Sequence, residues 1–340
     1  MRALVFEGAG TPLQLSVYND PTPGFGDIVV KIHRCGICGS DLHMTSGEGS
    51  NFAAPCVLGH EFSGEVVALG AGAHRLVIGD RVAAMPLMSC GHCAACLSGA
   101  PNRCSKLDVS GCGNTPGGYA EYALAKDALC FKLPETVSYD EGALAEPMAV
   151  ALRGVRMAPI GPESRVLVLG AGPIGLAAMF WAKHLGARKV AVAAPSRRRE
   201  ALSREMGADD FFSLDDNAVQ SAADALGGAP DVVLECAGQV GLIQRAIELA
   251  ALGATIVVLG YCNKPDTFRP TAAVGKEVII RFSQIYDLRD YGDVIAMFAS
   301  GAPEPRLMIT DRIGLGQVPT VFEALRERTH QCKVLIDPWL

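Results

Sequence analysis

Cys90, Cys93, Cys96 and Cys104 stand at C-x2-C-x2-C-x7-C, with Gly91, Gly99 and Pro101 between them. Four thiolates so close in sequence can wrap one ion tetrahedrally, and metal binding then also contributes to folding of the lobe. Such a site keeps no open position, so zinc there is expected to be structural. An iron–sulfur cluster would draw on the same residue type. A pair of disulfides would need an oxidising compartment that nothing else in the sequence supports. A second set of donors is spread more widely. Cys38 and His60 supply one sulfur and one nitrogen, and Glu61 and Glu146 compete for a third position. Zinc with an open position binds a water or substrate oxygen and lowers its pKa, that of water from about 15.7 to about 7. One thiolate, one neutral imidazole and one carboxylate leave a divalent ion formally neutral. A second carboxylate would make the centre anionic and weaken its pull on a bound oxyanion. One glutamate is therefore expected on the metal and the other beside it, and these residues alone do not choose between them. The expectation is two zinc ions per chain, one catalytic and one structural.

Gly170-Ala171-Gly172-Pro173-Ile174-Gly175 reads G-x-G-x-x-G. It follows the apolar run 166–169, expected to be a strand, and opens a helix expected over 174–185. In that context the glycines let the backbone approach a pyrophosphate at a helix N-terminus. In an NAD-binding unit a carboxylate about 20 residues further on accepts from the ribose 2′-OH. Here the second strand ends at Ala194, and Pro195-Ser196-Arg197-Arg198-Arg199 follow, with no acid before Glu200. Three cations at a helix start oppose its dipole by about 0.3–1 kcal/mol each. A bound 2′-phosphate would offset that repulsion, with Ser196 donating a hydrogen bond and Arg197 and Arg199 supplying charge. NADP is therefore expected over NAD.

The elements that must position these groups change in character along the chain. Residues 28–32, 62–69 and 79–83 read as strands and turns of an irregular β domain. After Pro159-Ile160-Gly161-Pro162, strands at 166–169, 190–194, 231–234 and 254–259 alternate with helices, which points to βαβ units and a parallel sheet. A last strand-like run is Lys333-Val334-Leu335-Ile336.

The chain has 340 residues, 49% apolar and 19% charged, enough for two domains with large cores. Thirty basic against thirty-six acidic side chains give −6, and no long basic run argues for a nucleic-acid or membrane-surface partner. The first apolar stretch ends too early for a secretory leader, and the uncharged run 249–263 is too short to span a bilayer. A cytoplasmic protein is expected, in which the twelve cysteines are core residues, ligands or thiols.

Gly36-Ile37-Cys38-Gly39-Ser40-Asp41-Leu42-His43, then Gly59-His60-Glu61, the four-cysteine lobe and the glycine turn occur in the order of zinc-dependent medium-chain alcohol dehydrogenases. The chain resembles that family over essentially its whole length, and Glu146-Pro147 resembles its sorbitol (polyol) dehydrogenase branch. The resemblance implies an α/β protein: a GroES-like β domain over 1–152 with both zincs, a doubly wound Rossmann domain over 153–288, and a return to the first domain over 289–340. It implies Ser40 beside the substrate oxygen and His43 at the outer end of a proton relay to solvent. It also implies Asp41 accepting from the free ring nitrogen of His60. Polyol enzymes of this branch tend to carry an aromatic residue after the relay histidine and an Arg-Tyr pair later. Here Met44 and Ile285-Tyr286 occupy those places. A pocket that loses groups for hydroxyls loses its discrimination in favour of them. The expected substrate is therefore an apolar or cyclic secondary alcohol, interconverted with its ketone, and the expected assembly is a dimer or tetramer. The alternatives are an NAD-dependent polyol (sorbitol- or threonine-type) dehydrogenase, a zinc-free reductase of the same fold, and a non-catalytic nucleotide-binding relative.

Overall fold

The structure is a computed structural model that describes residues 1–47, 54–327 and 330–340. After two short strands, Arg2–Phe6 and Gln14–Val17, the elements that matter for the site are, in chain order, β1 (Asp27–Gly36), α1 (Gly39–Met44), β2 (Glu61–Leu69), β3 (Arg81–Ala84), β4 (Tyr122–Lys126), β5 (Cys130–Lys132) and α2 (Tyr139–Arg156). There follow β6 (Arg165–Leu169), α3 (Pro173–His184), β7 (Lys189–Ala194), β8 (Asp210–Ser213), β9 (Val232–Glu235), β10 (Thr255–Val258) and β11 (Ile279–Phe282). The chain ends through α4 (Leu288–Ala299), β12 (Ile309–Gly314) and β13 (Lys333–Asp337).

Two compact units result: 1–146 with 287–302 and 309–340, and 147–286 with 303–308. The first boundary falls at 146/147, and the expected 152/153 lies in the same continuous helix, α2. Residues 303–308 belong to the second unit, not to the returning segment.

The first unit is built on a sheet ordered β5-β3-β2-β1-β13-β12, with β4 also pairing β1. β1 and β2 are antiparallel with Gly36 opposite Glu61, and β13 pairs the other edge of β1 with Leu335 opposite Gly36. The C-terminal strand therefore comes to lie beside the ends of β1 and β2, where the candidate ligands begin. Ile28, Val30, Ile32, Phe62, Val66 and Val334 share its core.

The second unit holds six parallel strands in the order β8-β7-β6-β9-β10-β11. The near-continuous apolar runs of β6, β7, β9 and β10 suit strands covered on both faces. Numbered within this sheet the order is 3-2-1-4-5-6, the doubly wound arrangement whose crevice lies beyond the ends of strands 1 and 4. Those strands are β6 and β9, and the glycine turn follows β6 directly.

α2 is a helix that hydrophobic periodicity did not announce. Residues 141–149 are all buried, so no polar face marks a 3.6-residue repeat, and Pro147 stands inside the helix. Among the described residues no helix is long and apolar enough to cross a membrane.

Candidate active site

Cys38 follows the end of β1 and caps α1, while His60 immediately precedes β2 and Glu61 opens it. The antiparallel pairing of these strands brings the three side chains together, with donor atoms all within 4.8 Å of one another. Close approach at this point requires glycine: a Cβ on Gly36 would lie 2.0 Å from Glu61 Oε2. Glu61 is fully buried and accepts from Lys333 Nζ through both carboxylate oxygens, at 2.7 and 2.6 Å. The same ammonium donates to the Ile37 carbonyl at 3.1 Å. Burial disfavours the charge on Lys333, but Glu61 and then Cys38 outweigh it and raise its pKa. The sequence reading missed Lys333, although a lone cation opening an otherwise apolar strand is a signal that it has a buried acid to meet.

His60 is also buried. Burial works against a charge on its ring, yet Cys112, Asp41 and Cys38 together push its pKa well above 6.5. A buried imidazole whose ring meets a carboxylate and a sulfur is a site that favours a cation. One sulfur, one nitrogen and one carboxylate within reach of each other match the donor set of a zinc site. Asp41 Oδ1 lies 3.3 Å from His60 Nδ1. Its other oxygen accepts from Tyr119 Oη at 2.6 Å and from the Cys38 amide at 3.1 Å. Cys112 Sγ lies 3.1 Å from the same Nδ1. Nothing in the spacing of Cys112 marks it out in the sequence.

Ser40 and Met44 are half-buried on α1, and His43 is exposed there. Glu146 is buried on α2 and is not in the donor group of Cys38, His60 and Glu61.

The sulfurs of Cys90, Cys93, Cys96 and Cys104 also lie within 4.8 Å of one another. The Cys93–Cys96 and Cys90–Cys96 separations are 3.5 and 4.0 Å. Four sulfurs at about 2.3 Å from one zinc would be about 3.8 Å apart, so the lobe fits that ion. The amides of Cys90 and Lys106 both donate to Cys104 Sγ at 3.4 Å. Hydrogen bonds from the Cys96 backbone and thiol lower the Cys93 pKa to about 6, while burial raises Cys96 to about 11.

In the second unit the glycine turn has the form that a dinucleotide needs. Gly172 caps α3 without a side-chain cap, Pro173 takes the first helical position, and Ile174 follows half-buried. A Cβ on Gly175 would lie 1.9 Å from the Gly170 carbonyl oxygen, so helix and strand could not approach this closely with a larger residue. A Cβ on Gly172 would meet nothing within 4 Å, which leaves open space beside the bare helix N-terminus. β7 ends at Ala194, as expected.

The arginines differ from the expectation in one respect. Arg197 is held by Glu200 through two hydrogen bonds of 2.6 and 2.7 Å, and Arg204 also pairs with Glu200. The charge repulsion expected at this helix start is thus offset inside the protein, by an acid three residues on. Arg199 instead donates to the Ala171 carbonyl, within the glycine turn, at 2.9 Å. Arg198 reaches the exposed Ser196 Oγ at 3.4 Å. Ile285 is half-buried and holds a left-handed backbone with φ of 50°, rare for a β-branched residue, and Tyr286 is fully buried.

Comparison with known proteins agrees with this geometry. Residues 24–135 match the family described as alcohol dehydrogenase GroES-like domain, and 173–300 match zinc-binding dehydrogenase. A sorbitol dehydrogenase of Arabidopsis thaliana is 31% identical over 96% of this chain and 92% of its own. An alcohol dehydrogenase (RspB) of Escherichia coli CFT073, solved with NADH, superposes with a TM-score of 0.90 at 31% identity over 99% of both chains. A putative zinc-binding dehydrogenase of Sinorhizobium meliloti 1021, solved with NADP, gives 0.89 at 32% identity, again over 99% of both.

Proposed function

Because this chain belongs to the zinc-dependent medium-chain alcohol and polyol dehydrogenases, we propose that it interconverts a secondary alcohol and its ketone with NADP(H), acting on apolar or cyclic substrates. The observation that carries the reading is the convergence of the Cys38, His60 and Glu61 donors within 4.8 Å of one another. Zinc held by Cys38, His60 and a glutamate would supply Lewis acidity toward the alcohol or carbonyl oxygen. A nicotinamide dinucleotide at the Gly170 turn would take or give the hydride.

The chain's own residues carry the rest. Cys38, Glu61 and Lys333 sum to −1, so with a divalent ion the set is +1 and favours negative charge developing on the substrate oxygen. Counting Lys333 also changes the expected cost of a second carboxylate, since Glu146 would bring the set to neutrality, not below it. Ser40 would accept the hydroxyl proton while passing its own outward, and the exposed His43 would exchange that proton with solvent. Asp41 orients His60. Gly170, Gly172 and Gly175 admit the pyrophosphate to the N-terminus of α3, flanked by Pro173 and Ile174.

Preference for NADP is supported by Ala194 in the place of an acid and by Arg199 beside the glycine turn. Arg199 is the first candidate for the 2′-phosphate. Arg197 would have to leave Glu200 to join it, with Ser196 adding a hydroxyl. Met44 and Ile285 support an apolar substrate. Tyr286 and the likeness to a sorbitol dehydrogenase favour the second reading, an NAD-dependent polyol dehydrogenase. The reading includes two zincs per chain, a cytoplasmic location in which its twelve cysteines stay reduced or bind metal, and a homo-oligomer. Ile279 and Phe282 on β11, the edge strand of the parallel sheet, are exposed apolar residues suited to such association.

The test is a panel of polyols, small secondary alcohols, terpenoid alcohols and steroids, read as NAD(P)H absorbance. Higher kcat/KM with NADP than NAD, and with an apolar alcohol than with sorbitol or xylitol, is expected. In the same assay Ala194→Asp should restore NAD use, and Arg199→Ala should raise KM for NADP far more than for NAD. A wild-type preference for NAD, or for a polyol over every apolar alcohol, would overturn the corresponding half.

A further inference from the structure

A metal-bound histidine is held by what its outer nitrogen meets. His60 Nδ1 meets two groups, Asp41 Oδ1 at 3.3 Å and Cys112 Sγ at 3.1 Å, which leaves Nε2 to serve an ion. Asp41 is fully buried and pinned through Oδ2 by Tyr119 and the Cys38 amide. Its Oδ1 makes no aligned hydrogen bond. The carboxylate is therefore the longer and less well aligned of the two contacts. The sulfur is the nearer atom.

Cys112 is delivered by a built turn. The Asp108 carboxylate accepts from the amides of Asn114 and Thr115 at 3.0 and 2.9 Å and from Thr115 Oγ1 at 2.6 Å. The Cys112 amide donates to the Val109 carbonyl at 2.9 Å. Gly111 lies so close to the segment before His60 that a Cβ on it would be 2.3 Å from the Gly59 carbonyl oxygen. The turn and the histidine thus pack as one piece.

We propose that Cys112 is a positioning residue for the metal centre: its sulfur accepts from His60 Nδ1–H and, with Asp41, fixes the ring and the tautomer that leave Nε2 for the ion. The proposal rests on the reading of Cys38 and His60 as metal ligands. Ligation through Nε2 needs the proton on Nδ1, and an acceptor there stabilises that tautomer. Loss of such a partner lowers metal affinity by about 10–100-fold. Sulfur is a weak acceptor, so about tenfold is expected here.

The experiment uses the full chain loaded with zinc and titrated with a chromophoric chelator. The parent should release two equivalents in separate steps, and Cys38→Ala should lack one. Cys112→Ala should release that same equivalent at about tenfold lower chelator concentration, with the four-cysteine equivalent and the far-UV circular dichroism unchanged. Cys112→Ser, whose hydroxyl also accepts, should recover part of the loss, and it carries the test if the alanine variant does not fold. Unchanged release from both variants, or a lower Tm with unchanged release, would overturn the proposal. A parent holding a single equivalent would instead remove the ligand assignment, and the proposal with it.

Discussion

Replacing Lys333 by methionine isolates the strongest electrostatic contact of the site. The ammonium and the Glu61 carboxylate are 2% and 1% exposed in their side chains. The shape is nearly preserved in Lys333→Met, but Glu61 loses its counter-charge and the Ile37 carbonyl loses a donor. Breaking a buried pair by removing one partner costs about 3–5 kcal/mol. In a unit of this size each kcal/mol moves Tm by about 2–4 °C, so the metal-free protein should melt about 6–20 °C lower. The zinc-loaded protein should lose much less, because the divalent ion then compensates Glu61. The double variant Glu61→Gln/Lys333→Met removes both charges and should recover most of the loss, since neutral replacement of a buried pair is often tolerated. The assay is differential scanning calorimetry of each variant with and without zinc. A metal-free shift below about 3 °C for the single variant, or equal shifts with and without zinc, would refute the argument that the two charges balance each other beside the ion.

Cys38→Ala and His60→Ala should each remove one of two zinc equivalents and the activity while leaving the fold, whereas Cys93→Ala should cost stability. Elemental analysis finding one equivalent in a fully active enzyme would sink that assignment. Arg165 binds Asp231 through two side-chain contacts of 3.0 and 2.8 Å, and this lowers the carboxyl pKa against a smaller opposing effect of burial. A depressed folded pKa gives stability that is present above the unfolded value of about 3.9 and is lost as pH falls through the folded one. Both groups are partly exposed, so Asp231→Asn should cost only about 0.5–1 kcal/mol at pH 7. Urea titrations should show the gap closing below about pH 4, and a gap that stays constant as the acid range is entered would count against the pair.

Features written in consecutive residues were legible from the sequence alone. The four-cysteine lobe, the glycine turn and the apolar strands at 166–169 and 190–194 each depend on spacing within one short segment. The structure forms them where expected. The Arg197–Glu200 pair was within the same reach, three residues apart, and its consequence for the helix-start charge follows from that spacing. α2 escaped because burial on every side erases the periodicity that marks an amphipathic helix. Other contacts join residues far apart in the chain: Lys333 to Glu61 across 272 residues, and Cys112 to His60 across 52. No local propensity encodes such pairs. They exist because β13 returns to the edge of β1, and because the turn after the cysteine lobe packs on Gly59. The ligand types were therefore a property of the sequence. The charge around them, and so the work a metal could do there, was decided only when the sheet brought an ammonium and a second sulfur to the same place.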